Sequence, residues 1–101
     1  MRVPVSHADI LERPVRAVLS TLEPGGGLRS SPCTCRVAGD RLIITSVEAA
    51  QAQQMKLNPR VSVMVLDPEN VDRWLCVQGD ADISGGTTCE VSIKRVMMFP
   101  R

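Results

Sequence analysis

The stretch TSVEAAQAQQMKLNPRVSV, from Thr45 to Val63, decides how the rest of the chain is read. Thr45 and Glu48 have the T-x-x-E spacing of a capping box, in which each side chain satisfies a free N–H at a helix start. The residues up to Leu57 are mostly Ala, Gln, Met, Lys and Leu, all good helix formers. Val47, Met55 and Leu57 give a weak apolar stripe with alanines between. Pro59 ends the helix, because the residue before a proline is driven out of the helical region. Beyond it, VSVMVL (Val61 to Leu66) is nearly all apolar and predicts a strand buried on both faces. A helix that follows a strand end in this way often holds a phosphate at its free N–H groups. Yet from Ser46 to Met55 there is no lysine or arginine.

Upstream of this stretch the pattern is that of strands. VRAVLSTL, Val15 to Leu22, is aliphatic and β-branched, and EPGGG after it is a turn by composition. LRSSPCTCRV, Leu28 to Val37, is a second strand. Pro32 inside it cannot donate to a ladder, so this strand is expected at an edge or bulged there. AGD is a tight turn and RLIIT a third strand, completing an antiparallel meander. Before the meander, SHADILERP reads as a short helix with Ser6 as its cap, Asp9 at its third position and Pro14 as its stop. Ile10 and Leu11 anchor it, and His7, the one histidine, reads as a surface residue.

Downstream, RWLCVQGDADI has the cleanest alternation. Leu75, Val77, Gly79, Ala81 and Ile83 face one side; Trp74, Cys76, Gln78, Asp80 and Asp82 face the other. SGGTT is a loop. CEVSIKRVMMF fits a last strand better than a helix, because Val91, Ile93 and Val96 suit a sheet. Six strands with one inserted helix predict a mainly β fold with minor α: a small antiparallel barrel, since closing the sheet removes its edges.

Composition narrows the function. At 101 residues the chain fits one domain, 1–101, with a limited core that a second copy would stabilise. Trp74 and Phe99 are the only aromatics, too few for a base-stacking platform. The net charge is +1 and no basic stripe marks a nucleic-acid footprint. No apolar run spans a bilayer and no secretory leader opens the chain, so no membrane partner is expected and the cytoplasm is the expected location. In that compartment Cys33, Cys35, Cys76 and Cys89 are expected as reduced thiols. Cys33-Thr34-Cys35 is C-x-C rather than C-x-x-C, so no metal site is assigned and the two thiols read as small buried hydrophobes.

The order of motifs resembles the pyridoxamine 5'-phosphate oxidase-like, FMN-binding split β-barrel family, and within it the actinobacterial branch that includes proteins using the deazaflavin F420. The resemblance runs from about Ile10 to Ile83. It rests on A-x-L-x-T before a glycine turn, S-P in strand two, G-D-R-L at the hairpin, N-P-R-V after the helix and G-x-A late in strand five. It implies a homodimer with FMN or F420 at the subunit interface, a small-molecule substrate and oxidoreductase chemistry carried by the cofactor. Carried over, Ser31, Pro32, Cys33 and Thr34 lie under the ring, and Thr45, Ser46, Ala50 and Gln51 face the phosphate. Arg73 and Trp74 match an Arg-Gln pair of which the glutamine touches flavin. No catalytic side chain is assigned.

The departures are specific. Relatives usually carry a lysine, often with an arginine before it, where this chain has Ala50 and Gln51. Lys56 lies about 500° further round the helix from Gln51, so it cannot stand in. Losing one charge-assisted bond costs about 1.5–3 kcal/mol, or one to two orders of magnitude in affinity. On the resemblance alone, Gln51→Lys would restore that bond and tighten FMN binding. The region after strand five is also shorter than in full-length relatives. The alternative reading is therefore a truncated, inactive cofactor carrier or structural dimer with weakened flavin binding.

Overall fold

The computed structural model describes residues 1–100, apart from the side chains of residues 84 and 85. Six strands form a closed antiparallel ring: β1 (Val15–Leu22), β2 (Leu28–Ala38), β3 (Arg41–Thr45), β4 (Arg60–Asp67), β5 (Asn70–Gly85) and β6 (Thr88–Phe99). Around the ring the order is β1-β2-β3-β6-β5-β4, with β4 returning to β1. Helix α1 (Val5–Ala8) and a 3-10 turn (Asp9–Leu11) precede the ring, and α2 (Ala49–Leu57) is inserted between β3 and β4. The expected six-stranded antiparallel barrel, the meander of β1 to β3 and the strand character of the last segment all hold.

The period-two pattern explains the core. Ala17 and Leu19 of β1, Cys33 and Cys35 of β2, and Leu42 and Ile44 of β3 all point inward. So do Val61, Val63 and Val65 of β4, Leu75 and Val77 of β5, and Cys89, Val91 and Ile93 of β6. Full burial of such an aliphatic side chain stabilises by about 1.5–3 kcal/mol. Gly79 is required where β5 meets β6, because a Cβ there would lie 1.9 Å from the carbonyl oxygen of Ser92. The register slips at that point. Gly39, at φ 64°, makes the tight β2–β3 turn.

Pro32 sits where its missing donor does least harm. β2 pairs with β1 along Leu28 to Cys35, but with β3 only from Thr34 onward. Residues 28–33 therefore have a free edge, and this is the split in the barrel. Helix α2 lies over the neighbouring opening and contacts β1 and β5.

Several local expectations are corrected. Thr45 is still paired in β3, opposite Thr34, so the T-x-x-E box does not form; Glu48 occupies the N-cap position without a side-chain bond. Ser46 instead turns the chain at φ 63°, and the Val47 N–H reaches the carbonyl of Thr87 at 3.0 Å. Leu57 is 78% exposed, and the inner face of α2 is Gln51, Ala52 and Met55. β4 is buried on one face only, because ring closure gives each strand one inner face; Met64 and Leu66 are exposed. Ser6 lies inside α1, whose N-cap position is Pro4. His7 is buried, with Nε2 donating to the Phe99 carbonyl at 3.1 Å and Nδ1 2.9 Å from the Ser6 hydroxyl. It locks the N-terminal helix onto the end of β6.

Candidate functional site

Two surfaces meet near β2: its free edge beside α2, and the outer face of the sheet. At the free edge, pairing of Thr34 with Thr45 brings strand two to the turn at Ser46. Thr45, Ser46 and Ala50 are exposed there, and the first N–H groups of α2 open beside them. The Thr34 hydroxyl receives a long hydrogen bond from Arg16 Nη1 at 3.4 Å.

Gln51 is placed differently from expectation. It is fully buried and braces three segments. Its Nε2 donates to the carbonyls of Leu19 at 3.0 Å and Arg29 at 3.2 Å, and its Oε1 accepts from the Ser31 hydroxyl at 2.5 Å. One turn on, Gln54 Oε1 accepts from Thr21 Oγ1 at 2.8 Å. The polar side of α2 thus docks onto β1 and β2 by hydrogen bonds where an apolar helix face would dock by packing. A buried amide left without partners would cost about 1–3 kcal/mol, so the bonds hold the side chain inward. In this arrangement Gln51 offers nothing to a phosphate at the turn, where helix N–H groups and the hydroxyls of Thr45 and Ser46 remain.

The expected ring-contact residues split by strand alternation. Pro32 is exposed, Thr34 and Ser31 half-buried. The Cys33 side chain is in the core, so only its backbone lies at the surface of β2. Burial pushes the Cys33 thiol up to about 11, Cys35 to about 12 and Cys89 to about 11. These are protonated, inert thiols. Among the described residues no group of three or more acidic, Cys or His side chains is arranged to hold a metal ion.

Across the outer face the register aligns Pro32, Val18, Met64, Cys76 and Met97 in one row over five strands. Val18 is 43% and Met64 38% exposed. Above this row, Leu66 pairs with Trp74 and Trp74 with Phe99. The two rings stack with centroids 6.2 Å apart. Trp74 stands three strand spacings from β2, about 14 Å within one chain. The chain's own fold does not bring Arg73 and Trp74 to the turn at Ser46. Arg73 is moreover engaged through both of its terminal nitrogens. Its guanidinium binds both carboxylate oxygens of Asp9, the Asp67 carboxylate at 3.0 Å and the Ser6 carbonyl at 2.6 Å. The hydrogen bond from Arg73 holds the Asp9 carboxyl below its ordinary value, and the Glu69 N–H followed by Arg73 does the same for Asp67.

Sequence reasoning passed over Arg60, Lys94 and Arg95, which share one end of the outer face. Two signals were present: an isolated glycine inside strand five, and two consecutive charges interrupting the alternation of strand six.

No family model and no curated protein sequence matches the chain. Solved structures do. An F420 reductase superimposes with a TM-score of 0.78 at 22% identity, over 94% of this chain and 98% of that one. A candidate pyridoxamine 5'-phosphate oxidase from Listeria innocua gives 0.77 at 15% identity, over 92% and 94%. A FAD-binding protein from Mesorhizobium loti gives 0.68 at 16%, over 95% and 93%. At these identities the likeness establishes the fold: the chain is a split β-barrel of the kind found in pyridoxamine 5'-phosphate oxidase-like proteins.

Proposed function

We propose that this chain belongs to the pyridoxamine 5'-phosphate oxidase-like family and binds a flavin-type cofactor, FMN or F420, between two copies of itself. The observation that carries the reading is an apolar outer row beside a free strand edge, on a fold shared end to end with an F420 reductase. A flat ring would suit this surface: Pro32 and Val18 would supply an apolar floor, while Thr34 and the free backbone edge of β2 would supply hydrogen bonds. The partner's sheet would cover the ring and exclude water. Trp74, which one chain cannot bring to its own β2, would then act from the partner.

A bound flavin or deazaflavin would supply the hydride or electron chemistry, and the protein would supply position and electrostatics. The residues named here bind and orient; no side chain is needed as nucleophile. The fit at the turn is partial. Its hydroxyls and helix N–H groups suit an anion, but Gln51 is turned inward and Ala50 carries no charge.

A second reading has its own support. Gln51 and Arg73, two residues the family resemblance assigns to the cofactor, are both held by internal bonds. A carrier or a structural dimer with weak flavin binding would look the same. Titration of the purified protein with FMN and with F420, read by absorbance and fluorescence, separates these. Micromolar binding with turnover supports the oxidoreductase, and micromolar binding without turnover the carrier. Binding of neither at about millimolar concentration, where the affinity is only about 4 kcal/mol, rejects the cofactor reading.

A further inference from the structure

A cavity of about 680 Å³ opens on the outer face at the end of the barrel where β1 turns into β2. Its size is in the range of small-molecule sites, about 300–1,000 Å³. Two aligned rows build it. Ser20, Ser62, Gln78 and Arg95 pair in turn across β1, β4, β5 and β6, and Arg60 faces Asp80 one step further along. The bulge in β6 adds the last component. Gly79 lets the β5 backbone press close against Ser92, and the register jumps so that Gln78 meets Arg95 while Gly79 meets Ile93. Lys94 is the extra residue. Ile93 is buried, and Lys94 and Arg95 are both exposed on successive positions, which an unbroken strand does not allow.

Arg60, Lys94 and Arg95 thus converge on one concavity against a single carboxylate, Asp80. Among the described residues the ion pairs all belong to Arg73, so none of these three cations has a carboxylate within salt-bridge distance. The hydroxyls of Ser20 and Ser62 and the amide of Gln78 add neutral donors. Ser20 bonds Ser30 at 2.7 Å and Ser62 lies 3.1 Å from the Cys76 sulfur, but each hydroxyl keeps further hydrogen-bonding capacity. Next to the cations on the barrel side lies an apolar row made by the exposed side chains of Val18 and Met64. We propose that this cavity is an anion site for the terminal phosphate of a small phosphate monoester, with the organic part lying against that apolar row. The phosphate dianion is selected by several cations and hydroxyls converging from four strands.

The test uses the full chain, isotopically labelled, titrated with inorganic phosphate at constant ionic strength and followed by amide NMR. Saturable shifts are expected at Ser20, Ser62, Gln78 and Arg95, with little change at Ser46 to Ala50. The Arg60→Gln/Arg95→Gln double variant should keep its amide dispersion and lose at least about tenfold in phosphate affinity. Shifts that do not saturate, that centre on Ser46 to Ala50, or that persist at full strength in the double variant overturn the site. Parallel titrations with FMN and riboflavin identify the phosphate's source. If the parent prefers FMN and the double variant does not, the phosphate is the flavin's own. If the parent binds FMN no better than riboflavin, or binds neither, yet saturates with inorganic phosphate, the site stands and serves another monoester. Where the parent also fails to bind F420, the flavin reading fails while this one holds.

Discussion

Gln51 is the residue at which the family pattern and the structure diverge most. An ammonium in the same place would have to leave water and would find the Leu19 and Arg29 carbonyls but no counter-charge. Gln51→Ala is expected to destabilise by about 1–3 kcal/mol, because the Ser31 hydroxyl and two carbonyls lose their partner. In a domain of this size about 1 kcal/mol moves the melting temperature by roughly 4–8 °C. Gln51→Lys is expected to lose at least as much stability and not to tighten FMN. A lysine variant that melts like the parent and binds FMN more tightly would show that the side chain swings out to the turn after all. The thiols give a second residue-scale prediction. Cys33, Cys35 and Cys89 have their values raised by burial to about 11, 12 and 11. A raised thiol value favours the folded state below the unfolded value of about 8.5, and that contribution is lost as pH climbs toward the folded values. Thermal stability should therefore fall progressively above about pH 8.5, and less steeply in a Cys33→Ala/Cys89→Ala variant. At neutral pH DTNB should leave these thiols unlabelled until denaturant is added; prompt labelling of the native protein contradicts their burial.

Among the elements, the N-terminal segment is held by two polar locks, His7 on the Phe99 carbonyl and Arg73 on Asp9. The Arg73 lock titrates. Both of its carboxylates have lowered values, so the fold gains from them above the unfolded value of about 4 and loses that gain as pH falls through their lower folded values. Arg73→Gln should speed proteolysis in residues 5–11 at pH 7, and the difference from the parent should be constant down to about pH 5. Below about pH 4 the difference should close; a gap that persists to pH 2.5 would remove the carboxylates from the explanation. The same elements mark how far sequence reading reaches. Strands are legible where inward aliphatics alternate with outward polar residues, as in Val15–Leu22 and Arg73–Ile83, because period two is a local property of the backbone. The T-x-x-E box misleads because β3 still holds Thr45, a pairing set by a strand eleven residues earlier. His7 reads as surface because its burial comes from Phe99, at the far end of the chain. The cationic cavity is illegible for the same reason. Arg60 and Lys94 become neighbours only through registers fixed by β5 and by the close approach at Gly79.

For the whole molecule, ring closure buries one face of every strand and leaves the other to water. On most of the barrel that outer face is polar, but Val18 and Met64, paired on adjacent strands, are exposed apolar side chains, and Leu66 and Phe99 nearby are 47% and 51% exposed. Apolar side chains grouped in this way on a small protein are of the kind that a partner's surface would cover. A second copy is a suitable cover, because two-fold pairing matches a patch against itself, and a stable interface needs about 800 Å² from each partner. Apolar burial near 25 cal/mol per Å² would then add to the limited stability of a domain of about 100 residues. The parent is expected to sediment as a dimer at micromolar concentration. Val18→Lys/Met64→Lys changes only outward side chains, so the core is untouched and the far-ultraviolet circular dichroism should be preserved. Two lysines from each copy would face one another across the patch, where like charges without partners cost several kcal/mol. The variant should therefore sediment as a monomer, and any flavin affinity of the parent should drop at least about tenfold, since the partner's sheet would no longer cover the ring. A variant that stays dimeric moves the interface off this face. A monomeric variant that keeps its flavin affinity separates the cofactor from the interface and returns it to the edge of β2 alone.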